Sequence, residues 1–224
     1  MPGSRRPLSL RSKWVQDFVF YLVCDSQNSG LGSCSYSPLH KSMATFMDGN
    51  LYTGIYVNFI GSDPAIFRAT EHLPTLRSDR YNSFWLNAPE FLKAFKISDS
   101  INRNDDKLYF FFREKAIRGL PEPTVLALVG RVCLNDIGGR YPLINKWTTF
   151  RKGRLLCFVT EKDGRKTFVS QLQDVFIHPV DDKRDPLIYG IFTTPRYSLR
   201  LLPSEGPSAT DSRSVLPSLS SCPY

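Results

Sequence analysis

Through the middle of the chain, apolar and polar residues alternate with a period of two. That is the spacing of strands that bury one face. Ser42–Met47 runs into Asp48-Gly49, a pair suited to a two-residue hairpin turn. Leu51–Asn58 alternates next, and Ala65–Ala69 and Phe91–Ile97 follow; these four runs are expected to form one antiparallel sheet. Lys107–Arg113, Val125–Leu134, Arg154–Val159 and Leu172–Pro179 make a second set of four, and Pro186–Thr194 opens a third. No long amphipathic helix interrupts them, although Lys146–Arg151 suits a turn or short helix. The expected class is all-β. Repeated sets of four short strands suggest β-propeller blades, although spacing alone also fits a sandwich. Two blades and part of a third do not close a ring.

The ends read differently. Residues 1–33 begin basic and end rich in Ser and Gly, 34–195 are patterned throughout, and 196–224 turn to Ser, Pro and Leu, a composition expected to be disordered. The apolar patch Phe18–Val23 is too short to span a bilayer and lacks a following small-x-small site. It is expected to be a buried strand or an atypical start rather than a signal peptide, and no membrane insertion is expected.

The high aromatic share, 13%, with 16 Phe and 10 Tyr, reinforces the strand reading. The net charge of +8 raises the question of nucleic acid. The excess is spread along the chain, however, with 22 basic and 17 acidic residues in 34–195, so no nucleic-acid partner is expected. The densest basic cluster, Arg151, Lys152 and Arg154, reads as a solvated face.

Candidate chemistry is sparse. Cys24, Cys34, Cys133, Cys157 and Cys222 contain no CxxC pair, and an odd count leaves at least one thiol without an intrachain partner. His40, His72 and His178 lack ligand spacing, and Asp105-Asp106 suits a turn before a strand better than a carboxylate pair or metal site. Asp136 invites the same carboxylate question and Gly138-Gly139 a phosphate question, but no GxGxxG or nucleophile elbow accompanies them. Neither enzyme activity, nor a cofactor, nor a metal is expected. Trp85 and Trp147 read as buried anchors.

An ordered series of short motifs is more specific. It comprises Asp48–Gly54, Phe59–Arg68, Trp85–Asn87, Asp105–Glu114, Cys133–Gly139, Asn145–Phe150, Arg154–Cys157, Leu172–Phe176 and Tyr189–Thr194. In that order they resemble the sema domain of the semaphorins, from about Cys34 to Pro195, with a texture most like the secreted class 3 type. The resemblance implies part of a seven-bladed β-propeller, with two to three blades present. It also implies an extracellular location, plexin receptors, neuropilin co-receptors, a homodimeric ligand, and guidance of axons and migrating cells. The family's first blade and later modules are not recognisable, and no Asn-x-Ser/Thr sequon occurs.

Cys133 and Cys157 match family cysteines whose partners lie farther along the domain, so both are expected to lack those partners. Cys34 matches a frequent family cysteine, with Cys24 or Cys222 as candidate partners. Loops on a rigid scaffold often carry recognition, and interface centres favour Tyr, Trp and Arg. The long loop Arg77–Phe84 makes Arg77, Arg80, Tyr81 and Asn82 the candidate receptor-binding residues, by analogy with the propeller loops the family uses. The alternative is a truncated, inactive or decoy fragment without receptor activity of its own.

Overall fold

The computed structural model describes residues 8–14, 20–27, 30–70, 74–98, 106–116, 125–160, 166–178 and 186–193. All regular structure in them is antiparallel β. At the N-terminal end β1 (Leu8–Trp14) pairs with β2 (Phe20–Gln27). Residues 20–23 of the apolar patch fall on β2, while 18 and 19 lie outside the described residues.

The first four-stranded sheet is a meander of β3 (Met43–Met47), β4 (Asn50–Tyr56), β5 (Pro64–Ala69) and β6 (Leu76–Arg77). Asp48 and Gly49 close its first hairpin with φ of 50° and 76°, and Met47 faces Asn50 across the turn. Positive φ at both central positions is what an Asp-Gly turn supplies. The second sheet contains β7 (Glu90–Ile97), β8 (Lys107–Lys115), β9 (Val125–Cys133) and β10 (Arg151–Arg154), also in chain order. Two hairpins follow: β11 (Cys157–Thr160) with β12 (Lys166–Val169), and β13 (Gln171–His178) with β14 (Leu187–Thr193).

The strand content matches the alternation, but the grouping is displaced by one strand. Residues 91–97 belong to the second sheet, where they pair with β8, and the first sheet is completed by the two-residue β6. The run Arg154–Val159 is split, because β10 ends at Arg154 and β11 begins at Cys157. Among residues 146–150, Lys146 makes an isolated bridge and 148–149 form a bend, with no helix.

The core lies between the two sheets. Tyr52, Ile66 and Leu76 of the first pack with Phe91, Leu108, Phe110, Phe112, Leu128 and Val132 of the second, closed by Leu86 and Trp147. Tyr109, Phe111, Ala127 and Val129 point the other way and pack with Leu172 and Val175 of β13. Strand β8 is therefore covered on both faces, which is why Leu108–Phe112 reads as an unbroken apolar run. The sheets approach so closely at Gly54 that a Cβ there would stand 2.5 Å from the Phe91 ring. Buried Tyr56 donates its hydroxyl to the Pro89 carbonyl at 2.9 Å, and burial pushes its phenol up to about 12.

Candidate recognition surface

Two loops meet at one end of the first sheet. One leaves β6 and runs through Ser78–Pro89; the other joins β9 to β10 through Leu134–Phe150. They are fastened by backbone bonds. The Arg77 amide donates to the Asn145 carbonyl at 3.0 Å, and the Trp147 amide donates to the Arg77 carbonyl at 3.1 Å. The buried Trp147 indole donates to the Ile66 carbonyl at 3.0 Å.

Asp136 organises the longer loop. Its carboxylate accepts from the amides of Gly138, Thr148 and Thr149 and from both threonine hydroxyls, at 2.7–3.0 Å. Its carbonyl accepts from buried Arg68 Nη1 at 2.6 Å, and the Arg68 guanidinium lies 5.5 Å from the Trp147 ring. Burial lowers the Arg68 pKa from its usual value. A charge removed from water needs such partners. The carboxylate that the sequence offers as candidate chemistry is thus a loop fastener.

The four residues chosen from sequence separate into distinct roles. Arg77 is mostly buried: its Nη2 pairs with Asp63 at 2.7 Å and its guanidinium lies over Phe67 at 5.2 Å. Asn82 shapes the loop, because its Oδ1 accepts from the Phe84 amide and its carbonyl from the Trp85 and Leu86 amides. Tyr81 is 70% exposed and held at φ 52°, an uncommon conformation for a bulky residue. Arg80 is exposed, and its guanidinium makes no ion pair among the described residues. Tyr81 and Arg80 therefore face solvent, whereas Arg77 and Asn82 build the support beneath them.

Beside them opens a cleft of about 620 Å³, with Leu31, Phe67 and Ile144 among its apolar lining and Arg77, Arg80 and Lys146 among its polar lining. Lys146 is paired with Asp79 at 2.8 Å, and that bond holds the Asp79 carboxyl below its usual range. Phe84 is 75% exposed and Tyr141 is 88% exposed nearby in sequence. Ile144, Tyr141 and the Asp79–Lys146 pair were not chosen from the sequence. Their signal is the apolar run Tyr141–Ile144, which lacks strand alternation and lies between turn residues. A recess with apolar lining and the exposed Arg80 in its wall suits binding of a macromolecule.

The cysteines divide as well. Cys34 and Cys157 are free, so the expected Cys24 or Cys222 partnership of Cys34 does not form. Cys133 is buried and disulfide-bonded, to a cysteine whose side chain lies outside those described. Its bond is thus to neither Cys34 nor Cys157. Burial pushes the Cys157 thiol up, which keeps it protonated and poorly reactive. Trp147 is fully buried, as its size suggests, whereas Trp85 is half-buried and stacks on Phe150 at 4.9 Å.

No family model matches the chain. Solved structures do. A chain of the Drosophila Plexin A complex with Semaphorin 1b is 33% identical over 80% of this chain and 32% of that one, with a TM-score of 0.62. The extracellular domains 1–2 of Drosophila Semaphorin 1a are 32% identical over 79% and 33%, with a TM-score of 0.64. Drosophila Semaphorin 2a is 26% identical over 73% and 29%, with a TM-score of 0.60. The chain thus spans about a third of the length of the structures it matches.

Proposed function

We propose, from the premise that this chain belongs to the semaphorin family through a partial sema domain, that it is an extracellular recognition module for a plexin-type receptor. The carrying observation is that exposed Arg80 lines the cleft of about 620 Å³ while its chain neighbour Tyr81 is presented to solvent. The likeness to a chain of a Plexin A–Semaphorin 1b complex supports the choice of receptor class. The mode of action is stoichiometric: the loop docks, Tyr81 supplies apolar contact, and Arg80 pairs with an acidic group on the receptor. Neuropilin-type co-receptors, a dimeric ligand, and guidance of axons and migrating cells complete the reading for a secreted protein. Within it, Arg77 and Asn82 act as positioning residues.

The test is binding of the secreted chain to immobilised plexin ectodomains, with Arg80→Glu and Tyr81→Gly compared with the parent. Arg80→Glu is expected to weaken binding at least tenfold, about 1.4 kcal/mol. Tyr81→Gly should weaken it similarly while leaving the unfolding midpoint equal or higher, because glycine tolerates φ 52°. Equal binding by all three sinks the assigned surface. A second reading, a fragment without independent receptor activity, is favoured by the exposed apolar face of β13–β14, where Phe176, Tyr189 and Ile191 meet solvent. A folded, secreted chain that binds no plexin ectodomain would establish it.

A further inference from the structure

We infer that Glu114 and Lys152 form a proton-operated clasp that sets how the two loops of the proposed recognition surface sit against each other. The inference rests on the receptor reading only for its consequence, the strength of receptor binding. The loops are joined at two places. At the first, the backbone of Arg77 bonds to Asn145 and Trp147. At the second, the Glu114 carboxylate near the end of β8 is the shared acceptor. Its Oε2 accepts from the Asn87 amide of the first loop at 3.2 Å, and its Oε1 accepts at 2.5 Å from Nζ of Lys152, two residues beyond the second loop. Asn87 is fastened further to β8, its Nδ2 donating to the Lys115 carbonyl at 2.7 Å and its carbonyl accepting from the Lys115 amide at 3.0 Å. Trp85 of the first loop stacks on Phe150 of the second at 4.9 Å, and Gly130 makes room for that ring, since a Cβ there would stand 3.1 Å from it. Arg80 and Tyr81 lie along the chain between the two junctions, so their placement depends on both.

Glu114 is buried, and the Lys152 side chain keeps 18% exposure. Uncharged Leu126 stands opposite Glu114 on β9, and among the described residues Lys152 is the charge that faces the carboxylate. Of its chain neighbours, Arg113 pairs with Glu90 of β7 and Lys115 is exposed. Burial raises the Glu114 pKa above its usual 4.5, against the opposing pull of Lys152. The fold therefore takes up this proton more readily than the unfolded chain does. The group's contribution to stability is full below the unfolded value and is lost as pH rises through the folded one. Acid thus opens the clasp without drawing stability from the fold through this group. A neutral carboxyl no longer balances the ammonium, and a mostly buried lysine left without its counter-charge turns to water. The tie between the loops at this end is lost, while the backbone junction at Arg77 titrates nothing and stays.

The clasp is tested on the full 224-residue chain by NMR titration and by binding to immobilised plexin ectodomains, with Glu114→Gln and Lys152→Arg beside the parent. In the free parent the Glu114 carboxyl resonance is expected to titrate above 4.5, and the amide resonances of Arg80, Tyr81 and Asn87 should move with the same midpoint. Lys152→Arg keeps the pair and should keep that shared titration. Glu114→Gln, neutral at every pH, should abolish it. Receptor affinity of the parent should fall at least about fivefold as pH drops through the midpoint, the lower end of ordinary coupling between two sites. Glu114→Gln should bind at the parent's acid level throughout. Arg80 and Tyr81 amides that ignore the Glu114 titration overturn the clasp, as does a pH dependence of binding that survives Glu114→Gln unchanged. A chain that binds no plexin ectodomain at any pH overturns the receptor reading instead, and the shared titration in the free chain still decides the clasp.

Discussion

Asp136 shows how much of the proposed recognition surface depends on one carboxylate that fastens a loop. One carboxylate collects five hydrogen bonds from Gly138, Thr148 and Thr149, and so holds the loop that carries Tyr141, Ile144 and Lys146. Asp136→Ala removes them together and strands several donors, at a cost of about 2–4 kcal/mol. Urea unfolding reads this directly; an unchanged midpoint would show that the loop is held by other contacts. A second residue-scale prediction concerns Asp79. The hydrogen bond from Lys146 lowers its pKa from the usual 3.8. A depressed folded pKa gives stability that is present above the unfolded value and lost as pH falls through the folded one. Carboxyl NMR titration should therefore find Asp79 below 3.8 and returning towards it in Lys146→Ala. A value that does not respond to the substitution would remove the pair from the account.

At the scale of elements, β8 binds the described architecture together. Its even residues, Leu108, Phe110 and Phe112, face the first sheet, and its odd residues, Tyr109 and Phe111, face β13. Phe110→Ala and Phe111→Ala should each cost about 3–5 kcal/mol, because both rings are fully buried. They should differ in hydrogen exchange: Phe110→Ala loosens β4 and β5, and Phe111→Ala loosens β13 and β14. Identical exchange patterns would contradict the two-faced packing. The strands themselves were legible because each side of β8, β9 and β7 buries apolar groups at period two. The division into sheets was less so. Strand β6 is two residues long, too short to show any period, and its place is fixed by pairing with Phe67 and Arg68. Missing it moved 91–97 into the wrong sheet. Likewise Arg154–Val159 reads as one run although the chain changes sheet at Leu155-Leu156, which local sequence does not encode.

At the scale of the molecule, two four-stranded sheets share a core, and the hairpin β13–β14 covers the far side of the second. This is the partial sema-type propeller that the ordered motifs suggested. The geometry of the proposed recognition surface was half legible. Exposed Arg80 and Tyr81 follow from a polar, aromatic loop between strands. The burial of Arg77 does not, because its partner Asp63 lies 14 residues away and meets it only through the β5–β6 pairing. The second loop was missed because its approach to β6 depends on contacts spanning some 70 residues, such as Arg68 to the Asp136 carbonyl.

The central claim is that the loops at this end of the first sheet form the receptor contact. Hydrogen–deuterium exchange of the chain, free and with saturating plexin ectodomain, tests it most directly. Protection is predicted in peptides covering residues 78–86 and 137–147, with β13 and β14 unchanged. Protection confined to β13–β14, or to the Asn58–Ser62 turn, with residues 78–86 and 137–147 unaltered, would contradict it.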